Sequence, residues 1–122
     1  MDPGELADAI NARNVELTGA DDYQDLHLTV DEFGGLYGWT WGQTLWIDSL
    51  FVAEGARREG LGSRLLAAAE DEGRARGCVQ AALATHSFQA PDFYTRHGYE
   101  QVGQLDGYPA GGAMHYLRKL LT

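Results

Sequence analysis

The stretch ARREGLGSRLLAAAE, residues 56–70, follows the apolar run LWIDSLFV, residues 45–52. Together they predict a strand that runs through a glycine-containing turn into a helix over residues 61–76. The run CVQAALAT, residues 78–85, predicts another strand directly after that helix. Because a crossover between parallel strands is right-handed in nearly all proteins, the two strands are expected to lie parallel in one sheet.

Charged residues on the predicted helix indicate how its exposed surface is stabilised. Glu70 precedes Arg74 by four residues, and Glu72 precedes Arg76 by the same distance. Acid-before-base pairs at this spacing lie on one helix face, so two ion pairs are expected. Gly77 follows as the predicted C-terminal cap.

The region before residue 45 predicts one helix and an antiparallel meander. PGELADAINARN, residues 3–14, has helical spacing and an early proline. DLHLTV, residues 25–30, and LYGWTW, residues 36–41, alternate apolar and polar or small residues and predict two strands joined by a turn. The strand at residues 45–52 is apolar on both faces apart from two central polar residues, which predicts a central strand covered on both sides.

The region after residue 85 predicts a short helix and two closing strands. A proline suited to a first turn and a glycine suited to a helix end bound the helix within APDFYTRHG, residues 90–98. YEQVGQL, residues 99–105, and AMHYLRKLL, residues 113–121, predict strands joined by the loop at residues 106–112. The order of elements predicts a mixed α+β fold in one domain, residues 1–122.

Composition excludes several classes of function. Eighteen acidic residues oppose nine basic ones, a net charge of −9, so the surface repels nucleic acid and favours a cationic ligand. The N-terminus lacks the positive residues of a signal peptide, and no apolar run is long enough to cross a membrane. One cysteine, Cys78, excludes an internal disulfide and is expected to be buried. A soluble cytoplasmic protein without a membrane partner is expected.

The turn between strand and helix has the features of an anion site. The first backbone N–H groups of a helix have no partner inside it, and the helix dipole places partial positive charge there. Gly60 and Gly62 remove side chains that would hold a phosphate away from those groups, and Arg57, Arg58 and Arg64 add charge nearby. The residues that define a Walker loop or a dinucleotide fingerprint are absent.

Two motifs carry a resemblance to a known superfamily. The pattern RxxGxG places Arg57, Gly60 and Gly62 between an apolar strand and a helix. The later segment SFQAPDFYTRHGY carries a second pattern, formed by Ser87, Ala90, Tyr94, Gly98 and Tyr99. In this order and at this spacing, the motifs resemble those of the Gcn5-related N-acetyltransferase (GNAT) superfamily over roughly residues 25–120.

This resemblance implies a GNAT-like acyl-CoA N-acyltransferase fold, in which a central mixed sheet splays open between its two parallel strands. Only about 24 residues precede the strand at residues 25–30, so the N-terminal part is expected to be shortened. Acetyl-coenzyme A would lie in the split. The implied coenzyme-binding residues are Leu50, Phe51, Val52, Arg57, Arg58, Glu59, Gly60, Leu61, Gly62, Ser63, Ser87, Ala90 and Tyr94.

The same resemblance implies catalytic roles. Tyr94 occupies the position that protonates the departing thiolate in many members. Asp48 matches a strand position that orders water or accepts the proton of the amine, and His86 is an alternative base. No metal is expected, because His27, His97 and His115 have no metal-site spacing with carboxylates.

The implied reaction is transfer of an acetyl group to a primary amine of a small, cationic acceptor. Trp39, Trp41, Asp48 and Tyr108 are predicted to bind it. If the first strand of the superfamily is missing, one sheet edge is exposed, and a homodimer is expected. An inactive coenzyme A-binding sensor or regulatory module is the alternative, and a plain α/β domain without a coenzyme site is a third.

Overall fold

The computed structural model describes residues 1–122 and has six strands and three helices in the predicted order. The helices are α1 (Pro3–Thr18), α2 (Leu61–Ala75) and α3 (Pro91–Thr95), and one 3-10 turn spans Glu54–Ala56. The strands are β1 (Gln24–Val30), β2 (Gly34–Trp41), β3 (Thr44–Val52), β4 (Gln80–His86), β5 (Glu100–Asp106) and β6 (Ala113–Leu120). The mixed α+β prediction is confirmed.

All six strands form one mixed sheet in the order β1-β2-β3-β4-β6-β5. Each neighbouring pair is antiparallel except β3 and β4, which are parallel as predicted. These two strands pair only from Thr44 opposite Gln80 to Ile47 opposite Leu83. The remainder of β3, residues 48–52, runs apart from the end of β4. The predicted split in the sheet is therefore confirmed.

The hydrophobic core lies on one face of the sheet, beneath α2. Leu45 and Ile47 of β3 are 0% and 2% exposed on this face. Gly73 lets α2 approach closely, because a Cβ atom there would lie 3.3 Å from Leu45 Cδ2. We call this covered side the front face and the opposite side the back face.

The prediction that β3 is covered on both sides is wrong. Its burial alternates only in its first half, and Asp48, Ser49 and Phe51 are exposed. The reason is topological. Helix α2 lies in the connection from β3 to β4, and α3 lies in the connection from β4 to β5. Both connections run in the same direction across the sheet and have the same hand, so both helices lie on the front face.

One of the two ion pairs predicted for α2 forms, and the other does not. Glu72 does bond to Arg76, at 3.0 Å. Glu70, however, points into the protein instead of pairing with Arg74. Its carboxylate accepts bonds from the hydroxyl of Tyr99 at 2.7 Å and from Lys119 Nζ at 2.9 Å. Burial behind α3 thus overrides the helical spacing, since a buried carboxylate requires hydrogen-bond partners.

One helix precedes β1 among the described residues, and β1 is an edge strand. Asp2 caps α1 by accepting a bond from the Glu5 N–H, Pro3 begins the helix and Gly19 ends it in the left-handed region. The helix extends four residues beyond the predicted segment, yet none of its residues is buried. No helix in the structure combines the length and the apolar character that crossing a membrane requires.

Candidate active site

A cleft of about 780 Å³ opens where β3 and β4 separate. Its walls come from the second half of β3, the end of β4, the start of α2 and the segment containing α3. The lining residues are Asp48, Ser49, Leu50, Phe51, Val52, Arg57, Gly62, Ala84, Thr85, Phe88, Gln89, Ala90, Phe93, Tyr94 and Arg96. Residues of both sequence motifs therefore line this cleft.

The start of α2 presents backbone N–H groups without partners. Gly60 is the N-cap residue, with φ +77°, and no side chain caps the helix. The first N–H with a backbone bond is that of Arg64, which bonds to Gly60 O at 3.0 Å. The preceding N–H groups, at residues 61–63, are therefore free to bind an anion.

Gly62 has a packing role in addition to the predicted one. A Cβ atom there would lie 3.4 Å from the ring of Phe93 and 3.6 Å from a methyl group of Val52. The absence of a side chain therefore lets α3 and β3 approach the start of α2. Arg57 Nε donates to Val52 O at 3.0 Å, which fixes the end of β3 beside this turn.

Tyr94 lies on α3 at the wall of the cleft and is 8% exposed. Burial raises the pKa of its phenol above the usual 10, so the hydroxyl is protonated at neutral pH. Its ring packs edge-to-face against Phe93 and Tyr99, with centroids 5.1 and 5.8 Å away. Tyr94 thus presents a neutral phenol at the wall of the cleft.

A hydrogen-bonded chain connects the start of α2 to α3. His97 Nδ1 lies 2.7 Å from Phe93 O and must carry a proton to donate to that carbonyl. In the neutral ring, Nε2 is then an acceptor, and the hydroxyl of Ser63 donates to it at 2.9 Å. Ser63 is in the first turn of α2, so this chain fixes the position of the Tyr94 helix relative to the free N–H groups.

A buried polar cluster lies behind Tyr94. Glu70 of α2 bonds to both Tyr99 and Lys119, and Lys119 Nζ also lies 5.7 Å from the Tyr99 ring centroid. Burial, and then the Glu70 carboxylate, raise the pKa of the Tyr99 phenol. The cluster ties α2, β6 and the start of β5 together at the point where Tyr99 supports the ring of Tyr94.

The two predicted bases differ in position. Asp48 lines the cleft at a bulge in β3, where the register with β2 shifts, and Ser49 Oγ donates to its carboxylate at 3.0 Å. His86 lies at the end of β4 outside the cleft lining. Its Nδ1 donates to Tyr108 O at 3.0 Å, and its ring stacks on Phe88 with centroids 5.2 Å apart.

The structure brings together only part of the predicted site. Eight predicted residues line the cleft: Asp48, Leu50, Phe51, Val52, Arg57, Gly62, Ala90 and Tyr94. Others of the set surround the turn without lining the cleft: Arg58, Glu59, Gly60, Leu61 and Ser63. Ser87 Oγ accepts the N–H of Ala113 at 3.1 Å, so it connects β4 to β6.

The predicted acceptor residues other than Asp48 lie away from the cleft lining. Trp39 packs beside Tyr23 on the back face, and Trp41 Nε1 donates to Ala20 O at 3.0 Å. Tyr108 contacts His86. Their predicted role in binding the acceptor stays a prediction.

A second cavity, of about 330 Å³, adjoins the cleft on the back face. It shares Ser49 and Phe51 with the cleft, so the two spaces adjoin at these residues. Its lining residues are His27, Asp31, Glu32, Gly34, Gly35, Leu36, Tyr37, Ser49 and Phe51.

Sequence reasoning missed several residues at this site. The sequence assigns His97 neither a catalytic role nor a metal, yet the structure places it in the bonded chain between α2 and α3. Phe93 and Arg96 line the cleft, next to Tyr94 in sequence. Helical spacing from Tyr94 points to His97, three residues later, but the bond from Ser63 to His97 depends on how α2 and α3 pack.

The geometry fits a coenzyme with a diphosphate and an amide-bearing arm. Free N–H groups at residues 61–63 match the diphosphate, and Arg57 and Arg96 add positive charge to the cleft. Residues 48–52 of β3 lack β4 as a partner, so their backbone groups can bind the amides of the arm.

Comparisons with known proteins agree with this fit. The family model described as the acetyltransferase (GNAT) family matches residues 27–99. The chain is 34% identical over 119 residues to an acetyltransferase of Agrobacterium fabrum, covering 93% of this chain and 87% of that protein. It is 46% identical over 89 residues to a blasticidin-S acetyltransferase of Streptomyces morookaense, covering 72% of this chain but 65% of that enzyme.

A solved structure shows the same fold. The crystal structure of an acetyltransferase from Bacillus cereus has a TM-score of 0.86 to this chain at 31% identity, covering 96% of this chain and 89% of that one. Motifs, cleft and relatives therefore lead to one conclusion. The chain belongs to the GNAT family and is an N-acetyltransferase that uses acetyl-coenzyme A.

Proposed function

We propose that this enzyme acetylates a primary amine of a small cationic acceptor, which binds in the cavity that adjoins the cleft. The observation that carries the proposal is the difference in charge between the cleft and the adjoining cavity. The cleft is lined by Arg57 and Arg96 besides the one carboxylate of Asp48, whereas the charged residues of the cavity are Asp31 and Glu32. A cationic acceptor is therefore attracted more strongly to the cavity than to the cleft.

In this proposal, the start of α2 and the separated part of β3 hold the coenzyme. Its thioester supplies the acetyl group. The N–H groups at residues 61–63 bind the diphosphate, with Arg57 beside them, while residues 50–52 bind the pantetheine arm through their backbone. Both elements meet at Gly62, whose packing against Val52 and Phe93 fixes their separation.

Tyr94 acts as the general acid. Its phenol faces the cleft and stays protonated at neutral pH because burial raises its pKa. It therefore holds a proton for the thiolate that leaves when the amine is acetylated. A phenol is a weaker acid than a thiol in water, so the Tyr94 hydroxyl stabilises the sulfur by hydrogen bonding as negative charge develops there, and complete transfer of its proton is uphill.

Asp48 is the better candidate for the base. It lines the same cleft as Tyr94, at the bulge in β3 and next in sequence to Ser49, which lines both the cleft and the cavity. Ser49 orients its carboxylate. His86 remains an alternative through Nε2, but it lies outside the lining, and its Nδ1 is engaged by Tyr108.

The walls of the cavity also suit a cation. Tyr37 and His27 pack edge-to-face with centroids 6.2 Å apart, and Phe51 lines both the cavity and the cleft. Aromatic faces attract cations, and carboxylates add long-range attraction. A relative named as a blasticidin-S acetyltransferase makes blasticidin S one reasonable test acceptor.

The proposal is tested by measuring thiol release from acetyl-coenzyme A with a panel of amines. The panel contains blasticidin S, polyamines, aminoglycosides and neutral amines of similar size. Turnover is expected with cationic members. Replacing Asp31→Asn and Glu32→Gln together is expected to raise KM for them on the order of tenfold, about 1.4 kcal/mol, without changing coenzyme affinity.

Asp8→Asn on α1 is the control, because it removes an exposed carboxylate that lines neither the cleft nor the cavity. Equal preference for neutral and cationic amines would contradict the proposed acceptor class. Coenzyme binding without turnover on any amine would instead favour a sensor or regulatory module. The expected homodimer and cytoplasmic location stay predictions.

A further inference from the structure

Helix α1 makes almost no contact with the rest of its own chain. Its 16 residues include none that are buried. The side chains of Leu6, Ile10 and Leu17 lie at helical spacing on one side and are 49%, 57% and 66% exposed. An isolated helix of this length is only marginally stable in water, so a stable α1 requires a surface to cover this stripe.

The back face of the sheet is also uncovered. An aromatic face, which we define as Tyr23, Trp39 and Trp46, lies where β1, β2 and β3 pair, beside Tyr37 at the wall of the acceptor cavity. Tyr23 is 50% exposed, Trp39 and Trp46 are half-buried, and the rings of Tyr23 and Trp39 pack with centroids 6.1 Å apart. Both long helix-containing crossovers lie on the front face, so no other element of the chain covers these rings.

The chain between these two surfaces is held in place. Trp41 Nε1 donates to Ala20 O at 3.0 Å, and the Gly42 N–H donates to Asp22 Oδ1 at 3.1 Å. These bonds fix the short connection from Thr18 to Gln24 against the β2–β3 turn. Folding α1 back onto its own aromatic face would require the connection to move and these bonds to break.

We propose that two copies of the chain exchange their α1 helices, each stripe of Leu6, Ile10 and Leu17 packing on the aromatic face of the other copy. Each chain has both complementary surfaces, so a dimer with twofold symmetry covers two helix stripes and two aromatic faces at once. A helix of 16 residues is about 24 Å long and 10 Å wide, so two exchanged helices bury about 1,000 Å² in total, which reaches the lower limit for a specific dimer.

The proposal is tested by sedimentation of the full chain without coenzyme or acceptor, so its outcome is independent of the acetyl-transfer proposal. The unmodified chain is expected to be a dimer at micromolar concentration. Ile10→Glu, which adds charge to the stripe, is expected to weaken the dimer at least tenfold. The matched control is Val102→Glu on β5, whose side chain is 58% exposed, against 57% for Ile10.

Mixing variants distinguishes an exchange from a contact between two α1 helices. Tyr23→Lys changes the aromatic face and leaves the helix stripe intact. If Ile10→Glu and Tyr23→Lys each give monomers, their mixture is expected to form heterodimers, because one normal helix meets one normal face. Circular dichroism confirms that each variant is folded.

Four results would overturn the proposal. The first is sedimentation of the unmodified chain as a monomer at 100 times the concentration used above. The second is an Ile10→Glu dimer as stable as that of the unmodified chain, and the third is equal dissociation of the dimer by Val102→Glu. Absence of heterodimers in the mixture would show that the helices do not contact the aromatic face of the partner.

Discussion

The two halves of β3 have the same kind of sequence but opposite surroundings. Leu45 and Ile47, in the first half, lie opposite β4 in a parallel ladder and are almost fully buried. Phe51, in the second half, is 57% exposed and faces a cleft instead of a strand. The first half therefore contributes to stability, and the second exposes backbone and side chains for binding.

The difference begins at one residue. Beyond Ile47, β3 contains a bulge at Asp48 and no longer pairs with β4. Bulges bend strands and redirect side chains, and they are common beside active sites. The sheet thus lacks β3–β4 pairing beyond Ile47, and the cleft forms in the space between the two strands. Substitutions in the two halves should separate stability from activity.

The largest expected effect is on catalysis at the cleft wall. Tyr94→Phe removes the proton donor while preserving the ring that packs on Phe93 and Tyr99. Loss of a general acid typically costs about 100-fold to 10,000-fold in rate. We expect kcat to fall about 100-fold or more with little change in coenzyme affinity, as measured by steady-state kinetics and calorimetry. An equal loss of both would contradict the assigned role.

The next largest effect is on the free energy of unfolding, and it is expected to differ between substitutions in the two halves of β3. Leu45→Ala creates a cavity beneath α2 and is expected to lower the free energy of unfolding by about 3 kcal/mol. Phe51→Ala, at an exposed position, is expected to cost under about 1 kcal/mol but to weaken coenzyme binding. Urea denaturation measures the first quantity and calorimetry the second. Similar losses of stability would remove the distinction between the halves.

The buried cluster behind Tyr94 should affect stability with a defined pH dependence. Tyr99→Phe removes a bond to a buried carboxylate and is expected to cost about 2 kcal/mol at neutral pH. Because folding raises the pKa of Tyr99, its stabilising contribution is complete below the unfolded value of about 10 and is lost as pH rises above it.

Unfolding by urea at pH 7 to 11 tests this dependence. The stability of the unmodified chain should decline above pH 10 more steeply than that of Tyr99→Phe, which lacks the titrating phenol. Parallel profiles would show that Tyr99 ionises in the folded protein as it does in the unfolded chain.

The smallest effect concerns the link between α2 and α3. Ser63→Ala removes the hydroxyl but keeps the backbone N–H, and His97→Phe keeps an aromatic ring against Phe93. If the bond positions the Tyr94 helix, each substitution should lower kcat severalfold, and the double variant should be no worse than the poorer single one. The coupling energy is expected to be about 1 kcal/mol. Additive effects, or lower melting temperatures with unchanged kcat, would indicate a role in packing alone.

Much of the fold could be predicted because local patterns and chain order agree. The strand, turn and helix around residues 45–76, the parallel partner at residues 78–85 and the split between them follow from periodicity, right-handed crossover and the two motifs. The burial of Cys78 is confirmed too. These features depend on neighbours in sequence or on general rules of topology.

The errors arose where packing between distant elements decides. Glu70 has the same helical spacing to Arg74 as Glu72 has to Arg76, yet its position beneath α3 leads it to Tyr99 and Lys119. Both faces of β3 are apolar in sequence, but only one is covered, because both crossovers have the same hand.

Parts of the candidate site show the same limitation. The motifs predicted Tyr94, Gly62 and the β3 residues that line the cleft. They gave no indication of the bond between Ser63 and His97, since its two residues are 34 positions apart. Nor did the motifs indicate that, of the two candidate bases, Asp48 lines the cleft and His86 does not.

The account depends most on the claim that the free N–H groups of α2 bind the coenzyme next to the separated strand. Amide NMR spectra recorded during titration with coenzyme A test it directly. The largest shifts are expected at residues 60–63 and 48–52, with little change at the paired residues 44–47 and 80–83. Pantetheine, which lacks the diphosphate, should leave residues 60–63 unchanged. Saturable binding of coenzyme A that leaves the signals of residues 60–63 in place would contradict the account.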